Sequence, residues 1–196
     1  MLEVSIPLTT LAVQSMFVII LVAGIRHAAR IPADTRAGWI FRLAWSGHER
    51  DYLLGVKLAT LAAILAPTVL ILLPVHAVRL GWSVALTHAA LGLTISAVVV
   101  ETAFFRYAKV PFAFSYEPSD NQLGRSPIYV VAFLAVTFGL AWVERSVLGS
   151  LKGSLTLFAV LLGTAFALRL TDRAPTSPVD WDDVPMQVTQ RLSLNE

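Results

Sequence analysis

"LATLAAILAPTVLILLPVHAVRLGWSVALTHAALGLTISAVVV", residues 58–100, carries a single charged side chain, Arg79. A helix that crosses a bilayer needs roughly 20 predominantly apolar residues. The stretch holds two such runs, Leu58–Val78 and Trp82–Val100, separated only by Arg79, Leu80 and Gly81. So short a link forces a tight antiparallel hairpin and places the two runs side by side. Pro67 and Pro74 fall inside the first run. Pro67 has no amide hydrogen to give, so a kink is expected near mid-membrane.

The rest of the chain follows the same pattern. Its 196 residues are 56% hydrophobic and 14% charged, with mean hydropathy +0.70. Soluble domains carry about 25% charged residues, and so apolar a chain has more hydrocarbon than one soluble core can hide. Further runs lie at Ile6–Ile25, at Ile128–Val143, which is short but extendable, and at Leu151–Leu168, where Lys152 can snorkel. The expected fold is all-α: a polytopic transmembrane helix bundle of about five spans over residues 1–170, followed by a polar tail, 171–196. Cysteine is absent, which excludes disulfides, thiol nucleophiles and thiolate metal sites.

The first run is not patterned as a signal peptide, which has its positive charge ahead of the apolar stretch. Here Glu3 precedes the run, and Arg26 and Arg30 follow it. Lys and Arg are retained on the cytoplasmic side of a membrane. Segments 26–57 and 101–127 and the tail from Arg169 hold twelve of the fifteen basic residues; Arg79, Arg145 and Lys152 make up the rest. That asymmetry predicts a multi-pass membrane protein with its N-terminus outside and its C-terminus cytoplasmic. An outside N-terminus without a cleavable signal would suit the back part of a longer ancestral chain.

Two features mark the expected cytoplasmic side. In residues 26–57, Pro32 suits a first helical turn, and Trp39, Ile40, Phe41, Leu43 and Trp45 follow, with Arg36 and Arg42 among them. Such a helix would lie amphipathically at the interface, either as an anchor or as a coupling helix pressed on a partner. Ser46 and Glu49 then match a capping box that would start the second span below the membrane, near Gly47. In residues 109–121, "KVPFAFSYEPSDN", rings alternate at Phe112, Phe114 and Tyr116, and Pro118-Ser119-Asp120-Asn121 supplies a turn. This extended aromatic loop is expected to cover helix ends beside Trp39 and Trp45, as a structural lid or as a partner-docking ribbon.

The segments "IPADTRAGWIFRL" (31–43) and 109–121, with Pro111, Phe112, Ser115, Tyr116 and Pro118, resemble a family of uncharacterised multi-spanning bacterial membrane proteins, some of them labelled permeases. Phe114 stands where that family carries a cysteine, and Ser119-Asp120 where it carries glycine and a basic residue. The resemblance implies a multi-pass protein of a bacterial inner membrane and brings no activity with it.

Chemistry in such a chain is sought among intramembrane polar residues. His76 and His88 belong to the two arms of the hairpin and must share a leaflet, with Gln14, Thr9 and Thr10 at similar depth. Two histidines on neighbouring helices could hold a haem, bind a divalent metal or relay protons. The plainer reading leaves His76 wet at the interface and His88 bonded to Gln14, to His76 or to a backbone carbonyl. His88 shares the 85–88–89–92 face with Ala85, Ala89 and Gly92, so it is expected to point into the bundle. Glu101 and Glu144 are expected at opposite membrane faces, near Arg106 and Arg145. No nucleotide-binding, hydrolase or zinc-protease motif is present. "APTSPVDWDDVP" in the tail reads as extended or disordered, with Trp181 a possible docking point. Small residues recur at helical spacing at Gly55, Ala59 and Ala63, at Ala159, Gly163 and Ala167, and at Gly92 and Ser96, where helices can approach closely.

Three functions fit. The first is a permease-like or membrane-complex subunit with no catalytic site or cofactor of its own, working with protein partners or as a homo-oligomer and not with nucleic acid. The second is an intramembrane haem or metal redox protein using His76 and His88. The third is a scaffold displaying the cytoplasmic aromatic surface.

Overall fold

The structure, a computed structural model, describes residues 6–29, 49–107 and 126–172. Every regular element among them is helical: α1 (Leu8–Ala28), α2 (Glu49–Ala59), a π-helical turn (Thr60–Leu65), α3 (Ala66–Leu80), α4 (Trp82–Ala103), α5 (Ser126–Val147) and α6 (Leu151–Thr171). They make five helices long and apolar enough to cross a membrane: Leu8–Ala28, Asp51–Leu80, Trp82–Ala103, Ile128–Val147 and Leu151–Thr171. The surrounding apolar surface fits a bilayer, with Ile71, Val78, Ile128 and Leu151 all exposed. Trp39, Phe41, Trp45, Phe112, Phe114 and Tyr116, the Ser46 cap and the tail after Asp172 lie outside the described residues.

Gly81 makes the hairpin with one residue. Its amide donates to the Ala77 carbonyl at 3.0 Å, ending α3, while its carbonyl accepts from the Ala85 amide at 2.9 Å, starting α4. The backbone there has φ 81° and ψ 153°, a conformation open almost only to glycine. A second tight turn joins α5 to α6. Ser150 caps α6 by accepting from the Gly153 amide at 3.3 Å, and the Ser154 hydroxyl donates to the Val147 carbonyl at 3.1 Å. Both turns lie at one end of the bundle, the hairpin end. Ala29, Glu49, Phe104–Tyr107, Ser126 and Asp172 lie at the other, the loop end.

The second span is longer than its apolar run. It covers the 30 residues Asp51–Leu80, about 45 Å at 1.5 Å per residue. Its polar first turns persist because Lys57, counted above with a loop, is only 5% exposed and paired inside the bundle. Pro67 is accommodated by register. The six-residue π-turn precedes it, and the Ala66 amide reaches back five residues to the Leu61 carbonyl. The wider turn opens the helix just where a proline ring would otherwise press on the preceding turn. Thr68 then donates its hydroxyl to the Ile64 carbonyl at 2.7 Å.

Helix α4 is the centre of the bundle, packed by α1, α3 and α6, while α5 runs along α1. Half of its apolar window is buried, against 11% for α6, which therefore faces outward. Two apolar clusters hold the ends. Val18, Val22, Leu65, Val100, Phe104 and Tyr107 pack toward the loop end. Leu11, Ala12, Leu80 and Ala141 pack toward the hairpin end. Of the small-residue stripes, Gly92 and Ser96 are buried, whereas Gly55, Ala59 and Ala63 and Ala159, Gly163 and Ala167 face out of the bundle.

Candidate functional site

The functional candidates are the charged and polar groups the fold removes from water. Four converge near the hairpin end: Gln14 of α1, His76 of α3, His88 of α4 and Glu144 of α5, each no more than 2% exposed. Each is placed by its helix's inward stripe. On α5, Thr137, Ala141 and Glu144 stand at i, i+4 and i+7 and are all buried. On α4, His88 shares its stripe with the buried Ala85, Ala89 and Gly92. On α1, Leu11, Gln14, Ser15 and Val18 form the buried face.

His88 is the hub. Its Nδ1 lies 2.5 Å from Glu144 Oε1, a short hydrogen bond between two titratable groups. Its ring meets His76 edge to face, with centroids 4.6 Å apart and planes at 68°. Its backbone carbonyl accepts from Gln14 Nε2 at 3.1 Å. That last contact exists because residue 92 is glycine. A Cβ at Gly92 would overlap the Gln14 carboxamide, so the missing side chain is the space Gln14 occupies.

These placements correct two expectations. Glu144 does not sit at the interface with Arg145; it turns inward to His88, because the inward stripe of α5 passes through it and His88 Nδ1 gives its carboxyl group a hydrogen-bond partner. His76 is not wet at the interface, since α3 continues one further turn to Leu80 and carries it under the hairpin.

Four buried polar atoms of this cluster have no hydrogen-bond partner: Gln14 Oε1, His76 Nδ1, His88 Nε2 and Glu144 Oε2. Leaving such a group unsatisfied costs about 1–3 kcal/mol, and more if it is charged. A cluster this under-satisfied is expensive as mere packing. Chemically, it is a row of proton acceptors and donors. His88 can take a proton on Nε2 and release the Nδ1 proton to Glu144 Oε1. The charged pair and the neutral pair then differ by the position of one proton.

The edge-to-face contact of the two rings leaves no gap between them for a porphyrin plane. Among the described residues, no three His, Cys, Asp or Glu side chains are grouped to hold a metal ion.

A second polar cluster lies at the loop end. Lys57 Nζ pairs with Glu101 Oε2 at 2.6 Å and with Asp172 Oδ2 at 2.7 Å. Asp172 Oδ1 also accepts from the Arg106 amide at 2.9 Å. Arg106 has φ 50°, a left-handed backbone just after α4, and its guanidinium lies 5.4 Å from the centroid of the Phe105 ring. Glu101 is therefore the partner of Lys57, correcting the expected Arg106 contact: Lys57 comes from inside the bundle and already compensates it. One lysine here ties together α2, α4 and the end of α6. Sequence reasoning passed over this triad because Lys57 and Asp172 each looked like the margin of a loop. The available signal was a lone lysine immediately before a continuous apolar run.

Compared with protein-family models, with curated proteins and with solved structures, the chain matches none.

Proposed function

We propose that the chain is a permease-like subunit of a bacterial inner membrane in which Gln14, His76, His88 and Glu144 form a proton-exchange site. The observation that carries this reading is the fully buried His88–Glu144 pair, with His88 Nε2 and Glu144 Oε2 unpartnered. Ionisable side chains inside a membrane are costly to keep and commonly mark ion or proton paths. The His76 ring beside His88 supplies a next station for the proton. Gln14 holds the His88 segment of α4 against α1, so movement of either helix would alter the cluster. The excess of Lys and Arg at the loop end supports a cytoplasmic loop face.

The test is proton flux into proteoliposomes carrying a trapped pH dye, driven by an imposed membrane potential. Wild-type protein should raise the rate above that of empty vesicles, and Glu144→Gln, which preserves shape and hydrogen bonding, should remove the increase. A wild-type rate equal to that of empty vesicles rejects transport by this chain alone.

A further inference from the structure

A groove of about 560 Å³ opens between α1, α4, α5 and α6, away from the histidine cluster and sharing no residue with it. Its size falls within the roughly 300–1,000 Å³ usual for ligand pockets. Ile19, Ile95, Leu140 and Leu161 line its deep part, and Arg26, Thr102 and Tyr129 stand at its mouth at the loop end. From Tyr129 to Leu140 the α5 wall rises eleven residues, about 16 Å at 1.5 Å per residue. That is about half of a hydrocarbon core of roughly 30 Å, the depth of one leaflet. The walls are almost wholly apolar, and the cation is at one end only.

Arg26 supplies the independent sign of a ligand. Its Nε is buried and has no hydrogen-bond partner. It is in the last turn of α1 beside His27, where partial negative charge from the helix end already favours a cation. An arginine fork presents donors matched to phosphate, and Tyr129 stands at the depth where aromatic rings meet headgroups. A soluble peptide would not match a groove that is apolar over the depth of one leaflet and basic only at the surface. A phospholipid has that distribution of charge and hydrocarbon.

We infer that this groove is a binding site for an anionic phospholipid of the loop-end leaflet, with one acyl chain between α1, α4 and α5 and the headgroup phosphate on Arg26. Bound there, the lipid would fill the space between α4 and the α1–α5 pair. These are the three helices that position Gln14, His88 and Glu144.

Native mass spectrometry of the delipidated, detergent-purified protein titrated with phosphatidylglycerol tests the site. One saturable adduct is expected at low lipid, with phosphatidylcholine binding more weakly. Arg26→Gln should weaken the phosphatidylglycerol adduct about fivefold, the effect of removing one basic group at a membrane surface. Ala132→Trp, which fills the groove, should abolish it, while Ile71→Trp on the outer surface of α3 should leave it unchanged. If Ala132→Trp does not fold, Arg26→Gln and the comparison of headgroups still decide. Equal adducts with both lipids, or adducts unaffected by Arg26→Gln, would mean unspecific surface lipid and overturn the site.

Discussion

Replacing Lys57 with methionine should be among the most destabilising single changes in the bundle. Lys57 is 5% exposed, and its ammonium compensates two carboxylates, Glu101 at 2.6 Å and Asp172 at 2.7 Å. Methionine keeps the stem but leaves two negative groups facing one another with no cation between them. Removing one member of a buried pair typically costs about 3–5 kcal/mol, because the remaining charge stays desolvated. In a chain of this size each kcal/mol moves the melting temperature by about 2–4 °C. The expected fall is therefore roughly 6–20 °C. Tryptophan fluorescence during heating in detergent can follow it, since Trp82 and Trp142 report from different helices. The triple variant Lys57→Met, Glu101→Gln, Asp172→Asn should recover most of the loss, because no uncompensated charge remains. A single variant melting within about 2 °C of wild type, under roughly 1 kcal/mol on the same scale, would refute the reasoning. The triad would then be solvated, and its cost would not be that of buried charge.

Gly92→Ala should cost about 1–3 kcal/mol, since a Cβ there overlaps Gln14 and forces it from the His88 carbonyl. In a double-mutant cycle, Gln14→Ala should relieve that cost, with a coupling of about 1 kcal/mol or more; strictly additive stabilities would deny the contact. Gly81→Ala should cost about 1–3 kcal/mol, because φ is 81°, while Gly149→Ala, with open space around its Cβ, should be near neutral in the same melting assay. The chain has no cysteine, so single cysteines report topology cleanly. In intact cells an impermeant label should reach Gly149→Cys but not Ser46→Cys or Ser119→Cys; the opposite pattern would invert the orientation.

The spans were legible because membrane helices announce themselves as uninterrupted apolar runs. Leu58–Val100 needed only a length and a count of linking residues to become a hairpin, and Gly81 is where the chain turns. The start of the second span ahead of its apolar run was expected from the Ser46 and Glu49 pattern, and the helix is present from Glu49 onward; the burial of Lys57 was not legible, because its partners come from α4 and the end of α6. That His76 and His88 share one end of the bundle followed from the hairpin, and the inward face of His88 from its small neighbours; that their rings meet did not, because helix rotation decides it. Glu144 was misread for a physical reason. A glutamate beside an arginine near the end of an apolar run has the same local pattern whether it faces water or a buried imidazole. Only helix rotation decides, and rotation is set by packing against α1 and α4. The spacing Thr137, Ala141, Glu144 was the one local hint, small or polar residues at a helical period inside an otherwise bulky run.

The most direct test of the proton-exchange site is the infrared difference spectrum between acidic and alkaline buffer, measured on the full chain in lipid. The account predicts a protonated-carboxyl C=O band that disappears in Glu144→Gln and changes frequency in His88→Ala, because the two groups share one hydrogen bond. Spectra identical in wild type and Glu144→Gln would show that Glu144 exchanges no proton and would contradict the proton-exchange reading.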